Sequence, residues 1–130
     1  MAETGKNVII TKSARKKMVR ARAGEEPLPK IVGMVFGSGG VDEGGTVIPP
    51  TEEQTGLKNE LLRKTVSGHT FPEETTCRYS CTLTETELVG AEISEIGLYD
   101  EQGDVVCIKT FMRKGKDGDV EMTYTIDDVF

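Results

Sequence analysis

Residues 93–112 read "ISEIGLYDEQGDVVCIKTFM", and nothing else in the chain restricts its fold so tightly. Two apolar runs flank an acidic turn in which Gly103 is free to take φ > 0, the pattern of a β-hairpin. Both alternations of "VVCIKTFM" are apolar enough to bury Cys107. Neighbouring segments carry the strand period too. In "TTCRYSCTL", Cys77, Tyr79, Cys81 and Leu83 share one face, with Arg78, Ser80 and Thr82 on the other. In "VEMTYTIDD", Val120, Met122, Tyr124 and Ile126 point inward against Glu121, Thr123 and Thr125. Joined by "DEQGD" and "KGKDGD", these runs predict hairpins in series, an antiparallel meander with one half-wet face.

One segment has the other period. "IITKSARKKMVRARAGEEP" predicts a helix with Thr11 as N-cap, its hydroxyl accepting an orphan N–H of the first turn. Gly24 and Pro27 mark the stop. Ala14, Met18 and Ala21 make one narrow face, small enough for close docking on a sheet, while Lys12, Lys16 and Arg20 form a basic row opposite. "KIVGMVF", residues 30–36, is apolar on both alternations and predicts a strand covered on two sides. It runs into "GSGGVDEGG", whose five glycines in nine residues exclude a regular element. Residues 46–58 read as loop past Pro49-Pro50, with a helical turn near "EEQTGLKNELL". The fold class expected is α+β, an antiparallel β-sheet or sandwich with one N-terminal helix packed on it, residues 1–130 forming a single domain.

Charge is unevenly divided. Residues 1–30 hold eight Lys/Arg against three acids, +5, and residues 31–130 hold eight against nineteen, −11. A basic element on an acidic body binds either an acidic partner surface or its own body. No stretch approaches the roughly 18–20 apolar residues of a membrane span, and no apolar signal core opens the chain, so a soluble, cytosolically made protein is expected. Cys77 and Cys81, four apart on one strand, have Cα atoms about 13 Å apart, beyond the roughly 7 Å that a disulfide spans. All three cysteines are expected as buried thiols.

The motifs that suggest chemistry each have a simpler reading. "FGSGG" follows a strand, but a phosphate cradle needs Gly-Lys-Ser/Thr opening a helix, and here Val41, Asp42 and Glu43 follow. A flexible or interface loop formed by Gly37, Ser38, Gly39 and Gly40 is the expectation. Asp117, Asp119 and Glu121 sit two apart, yet turn chemistry accounts for Asp117-Gly118 without a metal. His69, the only histidine, has no nucleophile and orienting acid assigned to it, so it is expected as a solvated or satisfied side chain. No catalytic residue, cofactor or metal site is expected. The basic row lacks the stacking aromatics and basic groove of a nucleic-acid site. The alternative left by the pattern is a small β-sandwich carbohydrate-binding module, although seven Phe/Tyr and no Trp supply few rings to stack on sugars.

Four blocks together carry a family resemblance. "ITKSARKKMVRARAGEEPLPKI" is similar to an opening helix, small-residue turn and strand; "VGMVFGSGG" to a strand ending in a Gly-rich loop. "GLKNELLRKTV" is similar to a leucine before a polar turn and strand, and "AEISEIGLYDEQGDVVCI" to an "EIGL-aromatic/aliphatic-D-x-x-G" hairpin at Glu95, Ile96, Gly97, Leu98, Asp100 and Gly103. In this order they resemble the N-terminal region of the phage tail-collar fibre family. That resemblance implies a phage or prophage virion structural protein, not an enzyme, made in the bacterial host cytoplasm and placed in the virion tail. It implies an attachment or adaptor domain that joins other tail or baseplate proteins, as a homotrimer, with no nucleic acid, membrane or small-molecule substrate. Fibres of that family continue into a shaft and tip, so a chain closing at Phe130 implies a short adaptor or distal parts on another chain. Lys12, Lys16, Arg20 and the Gly37–Gly40 loop are the expected partner interface.

Overall fold

A computed structural model describes residues 7–130, which form one helix and eight strands. In chain order these are β1 (Val8–Ile10), α1 (Lys12–Arg22), β2 (Ile31–Gly37), β3 (Glu60–Thr65) and β4 (Gly68–Glu73). There follow β5 (Thr76–Leu83), β6 (Glu92–Asp100), β7 (Val105–Gly115) and β8 (Met122–Val129). The strands make two antiparallel sheets, ordered β1-β7-β6-β2-β3 and β4-β5-β8. The α+β class expected from the sequence is therefore the one found, in its two-sheet form.

The β6–β7 hairpin forms as its sequence predicts. Gly103 takes φ 87°, and Asp100 closes the turn by accepting from the Gln102 and Asp104 amides at 3.0 and 3.1 Å. The serial meander does not form. β7 has β6 on one side and β1 on the other, with Ile10 opposite Cys107 and Val8 opposite Lys109. No edge of β7 is open there, so β8 crosses to the other sheet and pairs with β5, Tyr124 opposite Cys81. Lys116, only 2% exposed, pins that crossing: its Nζ donates to the Glu85 and Asp117 carbonyls at 3.1 and 2.8 Å. β1 was hidden in the sequence because Val8–Ile10 reads as the approach to the helix. The helical turn expected near residues 52–62 is absent; a turn at Glu52–Glu53 is followed by bends at 55–56 and 58–59, and β3 begins at Glu60. Val120, expected inward, is exposed ahead of β8.

The main core lies between the sheets. Met34, Phe36, Ile96, Leu98 and Cys107 meet Cys81, Leu83, Tyr124 and Ile126, with the Phe36 and Tyr124 rings edge-on at 5.4 Å. Burying such a ring contributes about 1.5–3 kcal/mol. The outer face of the large sheet carries a smaller cluster, Val35, Val105 and Ile108, covered by Ile9, Leu57 and Tyr99. β2 is thus apolar on both alternations, and β6 is buried on both, because both faces are covered.

α1 is fixed at each end. Thr11, fully buried, accepts from the Ala14 amide at 3.2 Å as N-cap and donates to the Val105 carbonyl at 3.0 Å. Gly24 takes φ 79° after the last turn, the left-handed backbone that ends helices most cheaply with glycine. Lys17 reaches from the helix to the hairpin turn, donating to Asp100 Oδ2 at 2.6 Å and Asp104 Oδ2 at 2.7 Å. Burial pulls the Lys17 pKa down, but the hydrogen bonds and charges of the two aspartates outweigh it and hold the pKa above its usual value. Ala14 and Met18 turn toward Ile10 and Val106, enclosing with Leu28 and Phe130 a cavity of about 60 Å³ that Asp128 also lines.

Asp128 gives stability a pH dependence. Burial pushes its pKa from 3.8 up to about 6, so the folded state binds that proton more tightly than the unfolded state. Its contribution is therefore most favourable below pH ~4 and is lost as pH rises through about 6. Asp128→Asn is expected to stabilise the protein at pH 7 by about 1–3 kcal/mol and to leave stability at pH 4 nearly unchanged. Urea melts at both pH values check this, and an equal effect at both would refute it. The thiols offer a second check. Cys81 and Cys107 are buried and Cys77 is half-buried, and burial pushes the Cys81 and Cys107 thiols up. Native labelling with a disulfide reagent should modify at most Cys77 at a measurable rate, the other two only after denaturation.

Candidate partner interface

The basic row stands where the helix period puts it. Ala14 is buried and Met18 and Ala21 are half-buried, while Lys12, Lys16 and Arg20 are exposed. Arg15, Val19 and Ala23 line the same shallow groove. Part of the row meets the chain's own acids. Arg15 pairs with Glu52 at 3.0 Å, Lys12 with Glu53 at 3.8 Å and Arg20 with Glu25 at 3.8 Å. All six partners are more than half exposed, and such pairs contribute at most about 1 kcal/mol each. Lys16, at the middle of the row, has no ion-pair partner among the described residues. Beside it Val19 is 68% exposed, an apolar side chain that the fold leaves uncovered.

The glycine loop is built differently. β2 ends at Gly37, and the chain turns over the outer face of β6, where Glu95 is 1% exposed. The Glu95 carboxylate accepts from the Gly39 and Asn59 amides at 2.8 Å each and from the Lys58 amide at 2.9 Å. The Gly40 amide donates to Ser94 Oγ at 2.9 Å. Backbone lies so close to backbone that side chains are excluded: a Cβ on Gly40 would stand 1.9 Å from the Ser94 carbonyl oxygen, and one on Gly37 2.5 Å from that of Asn59. Gly37 and Gly40 are buried within the chain and so present no surface to a partner; Ser38 and Gly39 are half-buried. The Ser38 hydroxyl is held by Asn59 Nδ2 at 2.6 Å.

The two parts of the expected interface are not brought together. Lys17 fastens the helix to Asp100, whereas the loop is fastened to Glu95. Those anchors are five positions apart along one strand, roughly 17 Å. The row and the loop are two surfaces. Elsewhere, His69 packs its ring against Phe71 and Tyr79 at 5.5 and 5.7 Å, and Asp117 accepts the Asp119 amide at 2.9 Å within a turn. Sequence reasoning missed Glu95 and Lys17 as organising groups. The signal for Glu95 was present: a carboxylate at a position where both strand neighbours are buried must find donors.

Comparison with protein families matches residues 2–123 to the phage tail-collar fibre protein, N-terminal. No curated protein and no solved structure matches the chain. The matched span takes in all four blocks on which the resemblance was drawn, from the helix through the β6–β7 hairpin.

Glu95→Ala removes the acceptor of three amides at once and is expected to cost about 2–4 kcal/mol. Amide exchange at Gly39, Lys58 and Asn59 should accelerate more than exchange in β5 and β8. Unchanged protection at those three amides would show that the loop is held by packing alone.

Proposed function

The chain belongs to the phage tail-collar fibre protein family, a component of the virion tail with a structural role, and from that premise we propose that it is an attachment or adaptor domain. It works by protein–protein assembly, without catalysis. It joins neighbouring tail or baseplate proteins, self-associates as a trimer, and is made in the host cytoplasm before it enters the tail. The observation that carries this reading is the division of α1. One face is docked through Ala14 and Met18, while the opposite face carries Lys12, Lys16 and Arg20 into solvent around Val19, on a chain with net charge −6. An exposed basic stripe beside an apolar side chain, two of its three cations only loosely paired, suits an acidic protein surface. The two β-sheets and the Glu95 anchor supply a rigid support, and symmetric repetition multiplies modest contacts through avidity. Ser38 and Gly39, at the other end of β6, form a second and smaller contact.

Reversal of Lys12, Lys16 and Arg20 to Glu is expected to change folding stability by no more than about 2 kcal/mol, since all three are exposed and only two weak ion pairs are lost. It should weaken association with tail proteins, most at low salt. Thermal melts and co-purification with tail proteins test both halves. Unfolding of the variant would assign the row to the chain's own acidic body, and normal tail assembly would place the attachment elsewhere.

A further inference from the structure

Two large apolar side chains are more exposed than any others among the described residues, Val19 at 68% and Phe71 at 69%. Their surroundings have opposite charge. Val19 lines the groove of α1 together with Lys12, Arg15, Lys16 and Arg20, against the single acid Glu25. Phe71 lies on β4 just before the turn into β5, followed by Pro72, Glu73 and Glu74, all exposed. Neither Glu73 nor Glu74 has an ion pair or a side-chain hydrogen bond among the described residues, and neither has Lys16. β4 is the outer strand of its sheet, bonded to β5 alone, and this hairpin end exposes one apolar ring and two unpaired carboxylates.

We propose that the tip of the β4–β5 hairpin of one copy docks in the α1 groove of the next. Phe71 covers Val19 and Ala23, and Glu73 and Glu74 meet Lys16 and Arg20. The inference rests on the attachment reading of the basic stripe and names its partner as a second copy of this chain. Charge sign, apolar content and exposure all match across the two surfaces. The Arg20–Glu25 contact, 3.8 Å and exposed on both sides, is loose enough to yield to a better-placed carboxylate. A rival acidic edge, Asp119 and Glu121 near exposed Val89, is followed less well, because Arg113 and Lys114 lie close by in sequence and dilute its charge. Since the two surfaces differ, the contact is head-to-tail, the type that closes a ring when the rotation between copies allows and otherwise runs on as a filament.

The test is a charge swap read by light scattering on the purified chain. Lys16→Glu/Arg20→Glu and Glu73→Lys/Glu74→Lys should each weaken self-association by roughly 30-fold or more, with thermal melts matching the parent. All four changes in one chain should restore it, because every contact regains opposite charges. Asp119→Lys/Glu121→Lys is the control and should leave association intact. A folded quadruple variant that stays dissociated, pairs of reversals that leave association untouched, or a parent chain that is monomeric at high concentration would each overturn the proposal. Co-purification with other tail proteins separates this from the attachment reading: if the Lys16/Arg20 variant keeps its oligomer but loses those proteins, the stripe binds a different partner and the self-contact is refuted.

Discussion

A carboxylate cannot stay in the interior of a sheet face without donors, and Glu95 stands on the central strand of the large sheet with no access to water. Removing such a group from solvent unpaired costs several kcal/mol. The chain meets that demand with three backbone amides, one from the loop after β2 and two from the approach to β3. In doing so it draws the long connection between these strands over the outer face of β6. The cover then buries Val35, Val105 and Ile108. An electrostatic requirement at one residue thus determines where a twenty-odd-residue connection runs, and the apolar packing follows it. The glycines are a consequence: the amides approach closely enough only where no Cβ intervenes.

The other end of β6 is organised by a second carboxylate. Asp100 shapes the hairpin turn with one oxygen and takes Lys17 on the other. The helix is consequently attached to the same strand as the loop, but at the opposite end. β6 acts as the common reference for both the helix and the loop. The rest of α1 docks through Ala14 and Met18, and its outer face meets the chain only through exposed ion pairs.

Much of this architecture was legible in the sequence because it depends on local period and turn chemistry. Thr11 and Gly24 bound the helix, "DEQGD" made the hairpin, and the alternation of "TTCRYSCTL" put Cys81 and Leu83 inward. What was not legible depends on partners distant in the chain. Val8–Ile10 is a strand only because β7 offers it an edge, about a hundred residues away in sequence. With that edge taken, β8 has to pair with β5, an outcome that no local pattern around "VEMTYTIDD" contains. The basic row was correctly placed on the exposed face, but its separation from the glycine loop follows from the strand anchors at Asp100 and Glu95. Glycine richness suggested an exposed loop, whereas at Gly37 and Gly40 it reflects backbone pressed against backbone.

The pairing of β1 with β7 also sets an order of events. The helix cap donates to a carbonyl 94 residues further along the chain, and folds dominated by such distant contacts form slowly, because chain entropy is lost before the contacts can form. During synthesis α1 has no surface to dock on until β7 has emerged from the ribosome. Until then its docking face and its basic face are equally bare. The basic stripe becomes a one-sided surface only once the β-sheets are complete, so the surface proposed for attachment is itself a product of folding.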